Sequence, residues 1–155
     1  MEVIVEFIML IIVRELLRDG LFLHELMHGI VAIPVAYLMY RKTKSFGLAL
    51  FTFVASFLID LDHLVDYFAF YGFRFNLLEF LRGEQFEITQ KAYIPLHAWE
   101  LLVILGIVSK KVGWKSCITA LTLGFTIHVI FDAIVWGDFL FYSIIYRTLV
   151  SNIGL

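Results

Sequence analysis

Cysteine is all but missing: Cys117 stands alone in 155 residues, which excludes an internal disulfide and a cysteine-built zinc site. As a lone thiol in apolar company it is expected to be a small buried core residue. Charge is scarce as well, at 17% of residues with a net of -2. No basic tract extends beyond two short loops, so nucleic acid is not an expected partner. The opening segment, Met1 to Val13, carries Glu2 and Glu6 and lacks both a basic start and a small-residue cleavage site. A cleaved signal peptide is therefore not expected there, and the segment reads as an interfacial or half-inserted helix. Alternating polar and apolar residues are missing too, and the apolar runs are continuous and too long for barrel strands.

What is present is hydrocarbon. Hydrophobic residues make up 61% of the chain, and the mean hydropathy is +0.90. A chain this short and this apolar is expected to be one all-α unit, residues 1–155, forming an integral-membrane helical bundle. Four main spanning helices are predicted over Leu21–Tyr40, Phe46–Tyr71, Ile94–Ser109 and Ser116–Trp136. Pro34 interrupts the first, which a membrane helix tolerates where neighbours satisfy the freed carbonyl. The N-terminal segment and the tail from Asp138 to Leu155 are predicted as amphipathic or partial helices. The loops Arg41-Lys42-Thr43-Lys44 and Lys110–Lys115 carry the densest basic charge. Both fall on one side, which the positive-inside tendency makes cytoplasmic.

All five histidines lie inside these apolar stretches, each within four residues of a carboxylate: His24-Glu25-x-x-His28, Asp60-x-Asp62-His63-x-x-Asp66, His97-x-x-Glu100 and His128-x-x-x-Asp132. No lysine or arginine shares these stretches. On the predicted topology all four groups reach the same depth, in the non-cytoplasmic half of the bilayer. Residues three or four apart share a helix face with Cβ atoms roughly 5–6 Å apart, and helical bundles build metal sites from such inward pairs. Six acids, Glu25, Asp60, Asp62, Asp66, Glu100 and Asp132, fall within the predicted spans. An aspartate at mid-membrane costs about 2.5–3.5 kcal/mol on insertion scales, so an undischarged cluster is costly.

Two explanations compete. One is a polar cavity of protonated acids or histidinium–carboxylate pairs, as in a proton relay. The other is bound divalent metal, with His24, His28, Asp62, His63, Asp66, His97, Glu100, His128 and Asp132 as candidate ligands. Mixed imidazole and carboxylate donors suit zinc, manganese or iron better than calcium, with zinc the first choice, and the set can hold one to three ions. His24-Glu25-Leu26-Met27-His28 also matches HExxH, in which two histidines one turn apart bind zinc and the glutamate polarises a water.

His28-Gly29, Asp60-Leu61-Asp62-His63, the central His97 and the late His128-x-x-x-Asp132 together resemble the YdjM-like inner-membrane metal-dependent hydrolases, also described as LexA-binding. The resemblance covers roughly Leu21 to Ala133. The HxxxD pair is more distantly similar to the ligand pair of zinc-dependent phospholipase C. The resemblance implies phosphoester hydrolysis in a prokaryotic inner membrane, with Asp60, Asp62, His63, His97, His128 and Asp132 at or near the metal. Where the YdjM-like pattern reads His-Arg-x-x-Thr-His-Ser, this chain has Tyr93-Ile94-Pro95-Leu96-His97-Ala98-Trp99, without the first histidine, the arginine and the serine.

The chemistry expected of such a site is metal-assisted hydrolysis, with Asp60 or Glu25 as the catalytic proton acceptor. A rim of Tyr67, Phe68, Tyr71, Phe73, Tyr93, Trp99 and Trp136 at headgroup depth suits a membrane lipid or lipid-linked substrate, and equally an interfacial belt. Two alternatives use the same residues. An intramembrane zinc protease similar to the site-2 proteases would need a third ligand, and no Asn/Pro-rich segment followed by Asp-Gly is there to supply it. A carrier or sensor of divalent metal or protons would use the ligands without chemistry, although no inverted repeat is visible.

Overall fold

In the computed structural model, which describes residues 21–83, 88 and 94–152, the apolar runs fold as helices, and no strand occurs among the described residues. Helix α1 spans Leu21–Thr43. The next run, Phe46 to Tyr71, is a rod in three pieces: α2 (Phe46–Leu58), a 3₁₀ stretch (Ile59–Asp62) and α3 (His63–Tyr71). A short α4 (Leu77–Arg82) follows, then α5 (Trp99–Val112), α6 (Cys117–Trp136) and α7 (Ile144–Asn152). Ser45 and Ser116 start α2 and α6 by accepting hydrogen bonds from the N–H of Leu48 and Ile118, the usual satisfaction of a helix's free first-turn donors.

Among the described residues, three helical rods are long and apolar enough to cross a membrane: Leu23–Thr43, Phe46–Tyr71 and Cys117–Trp136. Their surfaces are inverted relative to a soluble protein. On α1 the exposed residues Leu26, Ile30, Ile33 and Tyr37 form one stripe, while His24 and His28 are buried on another. The expected third span, Ile94–Ser109, is shorter than predicted. Helix α5 begins at Trp99 rather than Ile94 and has 14 residues, about 21 Å at 1.5 Å per residue, short of the roughly 30 Å hydrocarbon core. The cause lies at its start, where residues 94–98 are non-helical. Pro95 disfavours helical backbone at Ile94 before it, and the Leu96 N–H is held by the Asp62 carboxylate at 2.8 Å.

Helix α6 is the centre of the bundle, packing on α1, α2 and α5. Its contact with α2 is close because Gly124 has no side chain. A Cβ there would lie 2.5 Å from the Thr52 carbonyl and 2.7 Å from the Ala55 Cβ. That approach brings Ser56 and His128 within hydrogen-bonding distance. Ala55, Ile59, Leu102, Phe125, Val129, Ala133 and Tyr142 form the apolar core beside it.

The tail is docked. After a turn capped by Asp138, the Tyr142 carbonyl accepts from the Trp99 N–H at 2.9 Å, and the Arg147 guanidinium donates to the Ile94 carbonyl at 3.1 Å. With nine residues, α7 is too short to cross a bilayer. The two basic loops lie side by side, with Lys42 Nζ 5.8 Å from the Trp114 ring centre.

Two expectations are corrected. Cys117 is exposed, because it opens α6 rather than sitting inside it. Tyr67 is fully buried rather than part of an interfacial rim: its hydroxyl accepts from the Asn76 N–H at 2.9 Å and donates to Glu79. The expected N-terminal partial helix, Tyr93 of the rim and much of the long connection lie outside the described residues.

Candidate metal centre

The unbroken helices deliver their histidines as spacing dictates. His24 and His28 lie one turn apart on α1, and His128 and Asp132 one turn apart on α6; all four are buried. The 3₁₀ stretch changes the aim of the next pair. At three residues per turn, side chains i and i+3 eclipse, so Asp60 and His63 point together, 3.5 Å apart. Asp62 is thereby turned elsewhere. His97 arrives from the non-helical segment before α5.

Asp132 is the hub. Its Oδ1 lies 2.9 Å from His24 Nε2 and 3.0 Å from His28 Nε2, and its Oδ2 lies 3.2 Å from His128 Nε2 and 3.7 Å from His97 Nε2. Asp60 Oδ1 faces the same two imidazoles, 3.3 Å from His128 Nε2 and 3.4 Å from His97 Nε2. Among the described residues, three buried or half-buried groups have donor atoms close enough together to hold a metal ion: His24, His28 and Asp132; His97, His128 and Asp132; and Asp60, His63 and His97.

The protons on two of these rings can be assigned from their far sides. His128 Nδ1 lies 2.5 Å from the Ser56 carbonyl, which can only accept, so Nδ1 carries the proton. His97 Nδ1 lies 3.1 Å from Asp62 Oδ2, and the same logic holds against a carboxylate. Metal-bound histidines are commonly fixed in this way, with the second ring nitrogen donating to a carbonyl or carboxylate. With both rings neutral, the Nε2 atoms are lone pairs that face each other at 3.1 Å. Asp60 and Asp132 oxygens lie alongside, so a cation among the four donors, or a second proton on one ring donated to a neighbouring carboxylate, relieves the contact.

The donor spacing fits a metal. Ligand atoms about 2.0–2.1 Å from a tetrahedral zinc are separated from one another by about 3.3 Å. Five separations among His97 Nε2, His128 Nε2, Asp60 Oδ1 and Asp132 Oδ2 run from 3.1 to 3.7 Å. The His24, His28 and Asp132 Oδ1 group supplies three donors. Asp60 Oδ2 is buried and has no hydrogen-bond partner among the described residues.

Comparison with protein-family models, with curated proteins and with solved structures finds no match.

Three expected ligands are placed otherwise. Asp62 stands behind His97, accepting from its Nδ1 and from the Leu96 N–H; the 3₁₀ stretch rotates it away from the Nε2 side. Glu100 points to the tail, where its carboxylate accepts from Ser143 Oγ at 2.6 Å and from the N–H groups of Ile144 and Ile145. Burial alone would raise its pKa, but those bonds, with its own N–H, hold it down at about 2. It diverges from His97 because the helix starts only at Trp99, so the i, i+3 rule does not apply to the pair. Asp66 is buried one turn beyond Asp62 and is in none of the three groups.

Of the two expected proton acceptors, Asp60 is engaged with His63, His97 and His128. Glu25 is in none of the three groups and lies at the edge of an apolar cavity of about 350 Å³. Two participants escaped the sequence reading. Ser56 acts through its backbone carbonyl, which leaves no trace in residue type. Arg147 is distant in sequence but packs close enough for its charge to be felt by Asp62 and Asp66; a basic residue in a short apolar tail was the available signal.

Proposed function

We propose that the chain is a membrane-bound, metal-dependent hydrolase acting on a phosphoester of a lipid or lipid-linked substrate in a prokaryotic inner membrane. The observation that carries this reading is the convergence of the His97 and His128 Nε2 atoms, 3.1 Å apart, with Asp60 and Asp132 oxygens beside them. Zinc is the preferred ion, given neutral imidazoles, aspartate oxygens and near-tetrahedral spacing. Asp132, with one oxygen toward His24 and His28 and the other toward His97 and His128, suits a carboxylate shared by two ions.

Ions bound there would supply Lewis acidity toward a phosphoryl oxygen and would acidify a water. The chain's own residues do the rest. Ser56 and Asp62 orient His128 and His97 from behind, and Glu25, left out of the three ligand groups, takes the proton. His24, His28 and Asp132 would hold an ion with three protein donors, which would leave a fourth position for a water, as in catalytic zinc sites.

One observation favours a second reading, an intramembrane protease. Asp132 joins His24 and His28, giving the HExxH helix a third ligand that the sequence did not reveal. The full chain, reconstituted with zinc, is tested on phospholipid and on a transmembrane peptide. Phospholipid cleavage that disappears with chelation and returns with zinc supports the hydrolase; cleavage of the peptide alone replaces it with the protease. Zinc flux into vesicles without turnover of either substrate would leave a carrier and refute both enzymes.

A further inference from the structure

Between α1 and α2 runs an open apolar cavity of about 350 Å³, lined by Glu25, Leu26, Gly29, Ile30, Ile33, Phe53 and Phe57. Its outer wall is the exposed stripe of α1, with Leu26, Ile30 and Ile33 between 49% and 57% exposed. Its floor is Gly29, where an added Cβ would sit 3.2 Å from the Phe57 ring and 3.8 Å from Phe53. Glycine is a poor helix former, and here it keeps a channel open that any larger side chain would begin to fill. The channel is apolar except at one end, where Glu25 stands between the two histidines of α1.

We propose that this groove seats one acyl chain of a membrane phospholipid, with the chain along Ile33, Phe53 and Phe57 and the ester end beside Glu25. This rests on the hydrolase reading and deepens it by assigning the substrate's tail. Three observations select the occupant. Both walls belong to rods long and apolar enough to cross a bilayer, so the medium at the groove mouth is hydrocarbon. The residues from Glu25 to Ile33 cover roughly 12 Å at 1.5 Å per residue, which is a length for a chain segment rather than a headgroup. Among the described lining residues Glu25 alone is ionisable, and it follows directly on His24, whose Nε2 lies 2.9 Å from Asp132, so an occupant lying along the groove presents its polar end to the metal centre.

Lipid tails are as apolar as leucine, so a lipid-facing surface does not choose among positions by hydrophobicity. Selective occupancy would therefore report shape. The full chain is reconstituted in vesicles of phosphatidylethanolamine and phosphatidylglycerol containing a phosphatidylglycerol with a diazirine midway along one acyl chain. After photolysis the labelled residues are mapped. Labelling is expected to concentrate on residues 25–33 and 53–57 and, in Gly29→Leu, to fall to the level of the outward faces of α5 and α6. Ile33→Trp, at the exposed outer end, gives the same comparison if Gly29→Leu fails to fold by circular dichroism.

Uniform labelling of all outward faces, or labelling unchanged in the folded variants, overturns the proposal. So does disulfide formation between two copies through Ile30→Cys in a Cys117→Ser background, which would make a second copy the occupant. The readout needs no turnover. A wild type that labels the groove yet cleaves no phospholipid ends the hydrolase reading and supports the groove; cleavage with uniform labelling does the reverse.

Discussion

Replacing Asp62 with asparagine separates two roles that the sequence could not distinguish. If Asp62 were a ligand, its loss would empty a site. In the structure it accepts from His97 Nδ1 at 3.1 Å and from the Leu96 N–H at 2.8 Å, on the side of the ring away from Asp60 and Asp132. The asparagine side chain would still offer an oxygen to both donors, so the non-helical segment carrying His97 should keep its path. What disappears is the negative charge that raises the imidazole's basicity. Replacing such a partner typically weakens metal affinity by about 10–100-fold, or about 1.4–2.8 kcal/mol. Because the acceptor survives, the lower end is expected for Asp62→Asn. Asp62→Ala, which also strands the Leu96 donor, should reach the upper end and lose a further amount of folding stability, about 1–3 kcal/mol. The assay is competition for zinc with a chromogenic chelator in detergent, alongside metal counting by mass spectrometry. The expected result is an unchanged metal count at saturating zinc with weaker affinity. Loss of the ion at saturation would make Asp62 a ligand, and unaltered affinity would remove His97 from the site.

Asp132→Asn should lower the metal count outright, because both oxygens face imidazoles; an unchanged count would dismiss the hub. Zinc at about 100 times its dissociation constant should stabilise the wild type by about 2.7 kcal/mol, read as a higher melting temperature in detergent, with no such rise in Asp132→Asn. Gly124→Val should destabilise by about 1–3 kcal/mol or more through overpacking, since its Cβ would meet the Thr52 carbonyl at 2.5 Å; an unshifted melting temperature would contradict the close α2–α6 approach. Glu100 has its carboxylate pKa depressed from 4.5 to about 2, so its hold on the tail is complete above pH 4.5 and is lost as pH falls through 2. Protease cleavage after residue 138 should rise across that window in the wild type, whereas Glu100→Ala should be equally sensitive at neutral pH with its metal count unchanged.

The helices were legible because their signal is additive. Continuous apolar runs of about twenty residues leave few alternatives, and α1, α6 and the Phe46–Tyr71 rod lie close to where hydropathy puts them. Convergence of the histidines was legible for a related reason. Each helix enters from a known side, so the distance of a residue from a basic loop fixes its depth. His28 lies fifteen residues before Thr43, roughly 22 Å along the axis, far from the end where Lys42 meets Trp114. The third span failed where local chemistry outweighed composition. Hydropathy does not register that Pro95 restrains Ile94 before it, or that Asp62 captures the Leu96 N–H.

The spacing rule for ligand pairs divides along the same line. His24 with His28 and His128 with Asp132 lie in uninterrupted α-helices, and both pairs face the centre as the rule requires. His97 with Glu100 straddles a helix start and diverges, and Asp62 with Asp66 spans the change from 3₁₀ to α, with neither in the three ligand groups. Asp60 and His63 do meet, because a 3₁₀ turn aligns i with i+3 more strictly than an α-helix. The spacing alone therefore located the cluster without separating the groups that face the cation from those that stand behind them. That distinction depends on which ring nitrogen carries the proton, and for His128 the deciding partner is the backbone carbonyl of Ser56, reached only because Gly124 lets α2 and α6 touch. A glycine in one apolar helix thus fixes the tautomer of a histidine one turn along, and through it the direction in which that imidazole presents a lone pair to an ion.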